Sequence, residues 1–219
     1  STVEGLGSQA AFDLALAEKL RFQNSPIVPN DWHIEPGERI IVVTGPNQGG
    51  KTTFARAIGQ THHLANIGCP VPGSSARLLL FDNLFTHFER EETMKSLHGK
   101  LQDEIIRLHA TLQKATPRSF IILNEIFTST TLKDSRFLSK KILTRIEKAG
   151  SFCICVTFLD ELSRFSQSTV SFVGAIVPGD PSRKTFKIER READGLAYAL
   201  AIAEKHGVTY RKLVERIKS

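Results

Sequence analysis

The sequence predicts an α/β fold: a mostly parallel central sheet flanked by helices, with an antiparallel hairpin at one edge. Three observations carry this. Apolar, largely β-branched or aromatic runs at 40–43, 120–123 and 152–157 read as strands buried on both faces. Long segments of helical periodicity stand between them, the alternation expected of a parallel sheet. Finally, the stretches 170–176 and 184–189 flank the turn Pro178-Gly-Asp-Pro181 and read as an antiparallel pair.

In chain order, residues 8–22 have helical periodicity, with Ser8 placed to cap the start. Pro26 and Pro29 break that helix, and Pro36-Gly37 is a turn. Strand 40–43 runs into a glycine-rich loop, and a helix follows from Lys51 to about Asn66, with His62 and His63 read as solvated or capping residues. The Pro and Gly content of 68–75 dictates a loop, after which 78–81 and 84–88 read as short strands. A charged run at 89–92 leads to a helix at about 97–112. Strand 119–125 ends in the polar pair Asn124-Glu125, a helix spans 134–149, and two helices, at about 195–206 and 209–218, close the chain.

At 219 residues the chain suits one domain or one and a half, and 41% hydrophobic with 24% charged residues is an ordinary soluble composition. No apolar run reaches the roughly 18 residues of a membrane span and no signal peptide heads the chain, so a cytoplasmic protein without membrane contact is expected. A first residue of Ser rather than Met reads as a fragment of something longer. The three cysteines, Cys69, Cys153 and Cys155, lack metal spacing and read as free thiols, the last two on one face of a strand. A net charge of +6 permits a polyanionic partner without naming one.

The stretch that carries chemistry is Gly45-Pro-Asn-Gln-Gly-Gly-Lys51-Thr52, which fits G-x-x-x-x-G-K-[ST] between a strand and a helix. Gly45, Gly49 and Gly50 let successive N–H groups turn inward on a phosphate, and the helix adds its positive end. Lys51 supplies charge for β- and γ-phosphates, and the Thr52 hydroxyl suits Mg²⁺. The expected nucleotide-binding loop thus comprises Gly45, Pro46, Asn47, Gln48, Gly49, Gly50, Lys51, Thr52 and Thr53. Such sites need a second acidic element at the end of a neighbouring strand. Here it is Asn124-Glu125: Glu125 suits the base that orients or deprotonates water, and Asn124 offers Mg²⁺, through water, an amide oxygen without charge.

On these residues the chain resembles the MutS family of DNA mismatch-repair ATPases, whose phosphate loop reads TGPNxGGKS/T against Thr44-Gly-Pro-Asn-Gln-Gly-Gly-Lys-Thr52 here. Residues 26–31 are similar to the family segment before that loop, which implies that Ile27 or Val28 packs on adenine. Ile67-Gly-Cys-Pro-Val-Pro72, Asp82-Asn-Leu-Phe-Thr-His87 and Asn124 to Asp134 resemble further family segments, the last aligned without gaps to DEIGRGTSTYD. The resemblance covers roughly residues 8–219. It implies a P-loop NTPase fold of the ABC-ATPase type over 25–219, with 1–24 the tail of a preceding helical region. It also implies ATP and Mg²⁺ as cofactors, a homodimer through the ATPase domains, and DNA bound by domains outside this chain.

The departures from the pattern fall on the hydrolytic parts. The family's Asp is Asn124, its γ-phosphate-sensing His is Phe158, and its Gly-Arg-Gly turn is Phe127-Thr-Ser129. The signature offered to the partner subunit aligns Gly99 with the family's serine, leaving a backbone N–H or Lys100 to reach phosphate. The implied activity is ATP binding with slow hydrolysis, coupled to mismatched or structured DNA. Two alternatives stand beside it: a catalytically impaired, ATP-dependent dimerisation scaffold, and a relative acting on recombination intermediates. A basic cluster, Arg183, Lys184, Lys187, Arg190 and Arg191, offers a direct DNA-binding reading as well.

Overall fold

The computed structural model describes residues 5–88, 99–177, 180–193 and 195, apart from the side chains of 180–183. The charged run 89–92, the turn residues 178 and 179 and, but for Gly195, the two expected C-terminal helices lie outside them.

Two sheets organise these residues. The larger contains β3 (Ile40–Thr44), β5 (Asn83–His87), β6 (Ser119–Asn124), β7 (Phe152–Val156), β8 (Thr169–Val177) and β9 (Asp180–Arg190), in the order β5-β6-β7-β3-β8-β9. Its neighbours are parallel except β8 and β9, the expected edge hairpin. The smaller is antiparallel, order β2-β1-β4, from β1 (Leu6–Ala11), β2 (Asn30–Ile34) and β4 (Ser75–Arg77). The helices are α1 (Leu14–Phe22), α2 (Lys51–Asn66), α3 (Lys100–Lys114) and α4 (Leu132–Ala149).

Strands β3 and β7 are buried at every position, because helices cover both faces of the large sheet. On one face Ile41, Val43, Phe120, Ile122, Phe152 and Ile154 pack with Phe54 and Ile58 of α2 and with Trp32 and Ile34 of the small sheet. On the other, Ile40, Val42, Ile121, Leu123, Cys153 and Cys155 pack with Leu108 of α3 and Leu143 and Ile146 of α4.

Three expectations are corrected, and one strand is added. Residues 6–11 form a strand and the helix begins only at Leu14, so Ser8 is a buried strand residue and Asp13 is the cap, accepting from Leu16 N at 2.7 Å. A periodicity of small and apolar residues serves either structure until a pairing partner is known, and β1 finds two. The segment 78–81 forms no strand: β4 ends at Arg77, and Phe81 drops into the aromatic core. Strand β2, Asn30–Ile34, escaped the sequence reading because Asn30, Asp31 and His33 hide its alternation. His62 is neither solvated nor a cap: it is 1% exposed inside a cluster of rings, whereas His63 is exposed.

Candidate functional site

The carboxyl ends of β3, β6 and β7 lie side by side, which brings the glycine loop to within one strand of Asn124 and Glu125. The loop turns sharply at Gly45, φ +116, where an added Cβ would stand 2.8 Å from Gly174 N on β8, so only glycine fits there. Gly50, φ +94, precedes the first turn of α2, and Phe54 N donates back to Gly50 O at 2.8 Å.

Lys51 is 4% exposed, and its Nζ donates to Gly45 O and Pro46 O, both at 3.0 Å. Burial lowers its pKa; the nearby Glu125 carboxylate works against that, and Lys184 works with it. The ammonium therefore sits within the loop, against two of its own carbonyl oxygens. Thr52 Oγ1 donates to Asn124 Oδ1 at 2.8 Å, joining the loop to the end of β6 across 72 residues of sequence. A hydroxyl and an amide oxygen are hard donors suited to Mg²⁺, which keeps most of its water and takes few protein ligands. Among the described residues no cluster of three or more His, Cys, Asp or Glu could hold a metal, so such an ion would depend on bound phosphates as well.

Glu125 follows in a left-handed conformation, φ 49, with its N–H donating to Val156 O at 2.8 Å. Its carboxylate faces the same cavity as Lys51, close enough to act on the pKa of that ammonium. That cavity, about 390 Å³, is lined by Ile27, Val28, Gln48, Gly50, Lys51, Thr52, Thr53 and Glu125 among the expected site residues. Gly45, Pro46 and Asn124 meet it through Lys51 and Thr52. Asn47 is exposed at the loop tip, and Gly49 N closes the turn on Pro46 O at 3.1 Å. Gly99 and Lys100 are exposed at the start of α3 and do not line the cavity. Phe158 is 47% exposed beyond the end of β7.

The cavity has walls that the sequence did not disclose. Phe12, Leu16 and Leu20, from α1 and the residue before its cap, form an apolar side. Asp13 locks α1 to α2: it accepts from Arg56 Nε at 2.6 Å, Arg56 Nη2 at 3.0 Å and Gln60 Nε2 at 3.1 Å. Phe186 of β9 forms another wall, 50% exposed and at φ 59, beside Gly50. Asn30 pins it there: Asn30 Nδ2 donates to Phe186 O at 3.1 Å, and Ile188 N donates to Asn30 Oδ1 at 2.7 Å. An exposed aromatic at positive φ held by a dedicated side chain is a sequence signal only once β9 is known to fold over the loop. The basic cluster on β9 is partly consumed by internal contacts. Lys187 Nζ donates to Pro29 O, Arg190 pairs with Glu38 at 2.7 Å, and Lys184 Nζ lies 3.4 Å from Gln48 Oε1.

Chemically the arrangement offers an anion cradle with one buried cation, an apolar slot beside it for a flat group, oxygen donors for a divalent cation and a carboxylate at the same opening.

The family model for MutS domain V matches residues 41–215. The chain is 31% identical over 185 residues to the DNA mismatch repair protein MutS of Shouchella clausii, covering 83% of this chain and 21% of that protein. It is 32% identical over 183 residues to the MutS of Brevibacillus brevis, at 81% and 21% coverage. It is 28% identical over 182 residues to the endonuclease MutS2 of Gemmatimonas aurantiaca, at 82% and 22%. The chain thus spans about a fifth of the length of these relatives.

Proposed function

We propose, from the premise that this chain belongs to the MutS domain V family, that it is a P-loop NTPase domain of the ABC-ATPase type that binds ATP with Mg²⁺ and hydrolyses it slowly. The observation that carries the reading is the Thr52–Asn124 hydrogen bond at 2.8 Å, with Lys51 and Glu125 lining one cavity beside it. The loop N–H groups and Lys51 bind the triphosphate, and Ile27, Val28 and Phe186 enclose the base. Thr52 and, through water, Asn124 would hold Mg²⁺, which supplies charge neutralisation on the phosphates. Glu125 orients the attacking water and accepts its proton. The neutral Asn124 holds the cation's water shell less firmly than a carboxylate would, which accounts for slow turnover and keeps the ATP-dependent scaffold as a second reading.

In the complete protein we infer that two such domains pair, with Gly99 and Lys100 of one copy completing the other's site. ATP state is then coupled to mismatched or structured DNA held by domains outside this chain. The test is Mg²⁺-dependent ATP hydrolysis by the chain, alongside two variants. Glu125→Gln is expected to lower kcat about 10²- to 10⁴-fold while ATP still binds, and Lys51→Ala to abolish binding. Wild-type protein that binds ATP but never turns it over, unchanged by Glu125→Gln, would establish the scaffold instead.

A further inference from the structure

We propose that Glu104 is the positioning residue of this site: its carboxylate fixes the turn that carries Glu125 and ties that turn to helix α3. The proposal rests on the reading of Glu125 as the group that orients the attacking water.

The turn Glu125-Ile126-Phe127 is built in an uncommon way. Glu125 at φ 49 and Phe127 at φ 59 are both left-handed, a conformation that side-chain-bearing residues hold only where the surroundings enforce it. Two hydrogen bonds from backbone N–H groups hold the turn here. At one end Glu125 N donates to Val156 O of β7 at 2.8 Å. At the other, Phe127 N donates to Glu104 Oε1 at 3.0 Å. The second bond has a side-chain carboxyl oxygen from α3 as its acceptor.

Glu104 is itself buried and has a second partner. It stands on the second turn of α3, is 8% exposed, and the same oxygen meets His87 Nε2 at 3.3 Å from the end of β5. His87 is 6% exposed, so both partners are inside the protein. Replacing a whole buried polar pair by apolar residues of similar volume is often neutral in stability, whereas removing one partner alone leaves the other unsatisfied. What an apolar residue cannot do is accept the Phe127 N–H and so set the direction of the turn. Glu104 thereby sets the geometry of the turn.

Its place on α3 gives the contact a second consequence. Lys100 is four residues earlier and therefore on the same face of the helix. Glu104 and Phe127 thus link the exposed start of α3 to the Glu125 turn by one helical turn and one hydrogen bond.

Two variants separate this from a merely structural role. Glu104→Met fills the space without an acceptor; Glu104→Gln keeps a carbonyl oxygen for the Phe127 N–H. With Glu104→Met, kcat is expected to fall about 10- to 100-fold, with the Kd for ATP within about twofold of wild type. Glu104→Gln is expected to restore kcat to within about threefold. In a Glu125→Gln background Glu104→Met should cost nothing further, since both act through one group. Hydrogen exchange at the Phe127 amide should speed by at least about tenfold in Glu104→Met, with β6 unchanged. Unaltered exchange at Phe127 overturns the proposal, and so does an equal loss of kcat in the Glu125→Gln background. Wild-type protein without Glu125-dependent turnover would sink the functional reading instead, and the exchange measurement would still decide whether Glu104 fixes the turn.

Discussion

On one face of the large sheet Phe120 and Phe152 meet Phe81 and the imidazole of His62, which in turn meets Trp32; on the other, the next residues along the same strands, Ile121 and Cys153, pack with the aliphatic side chains of α3 and α4. The aromatic face is built from specific ring contacts, with Phe120 and Phe152 centroids 4.9 Å apart and His62 edge-on to Phe120 at 4.9 Å. It also carries α2, so the helix that begins at Lys51 is anchored near its far end by a buried titratable group. The aliphatic face carries Ile126 and Phe127 of the Glu125 turn and two thiols. One face therefore ties the glycine loop and α2 to packing around a buried imidazole, and the other holds the Glu125 turn against aliphatic side chains.

The sharpest way to break this comparison is to remove a ring. Phe120→Ala, at a site with no exposure and three ring neighbours, is expected to cost about 3–5 kcal/mol in urea unfolding. Cys155→Ala on the opposite face should cost about 1 kcal/mol. Equal losses would mean that the faces are energetically alike.

Acid comes next in size. Burial pushes the His62 pKa down to about 4 from 6.5, against the smaller favourable contact of Nδ1 with Ile58 O at 2.8 Å. With Nδ1 donating to that carbonyl, Nε2 lies buried without a partner among the described residues, and protonating it would place a charge among rings. The folded pKa lies below the unfolded one, so the unfolded chain binds more protons between the two. The stability is fully present above pH 6.5 and falls as pH drops from 6.5 toward 4, by about 3 kcal/mol in total. His62→Phe should flatten the unfolding free energy across that window; an unchanged slope would assign it to other groups.

The smallest effect is one of reactivity. Burial pushes the Cys155 thiol up to about 12 and Cys153 well above its ordinary value, while Cys69 is exposed. An alkylating reagent at pH 8 should add one label to the native chain and three in urea, counted by mass. A second rapid label in the native protein would show that the aliphatic face opens.

Much of this molecule was legible in its residues. The runs 40–43, 120–123 and 152–156 are apolar at every position, and only a strand covered on both faces asks for that. A helix from Lys51 to Asn66 followed from the glycine loop before it and the periodicity within it, and the pairing of loop and Asn124-Glu125 from chemistry that needs both. Where side-chain pattern was ambiguous the reading failed. Residues 8–11 read as the start of a helix because Ala, Gln and Ser suit either structure, and β2 is hidden because its inward positions, Trp32 and Ile34, are only two.

By itself, then, the sequence determined the buried strands, the glycine loop and the residue types at its edge, because local geometry and burial leave few alternatives there. Only the tertiary structure decided that Thr52 meets Asn124, that Phe186 and α1 wall the cavity, that His62 is buried and that Glu104 holds the Glu125 turn. Each of these is a contact between segments far apart in the chain, and its energy depends on distance and exclusion of water, neither of which a residue carries in its own name.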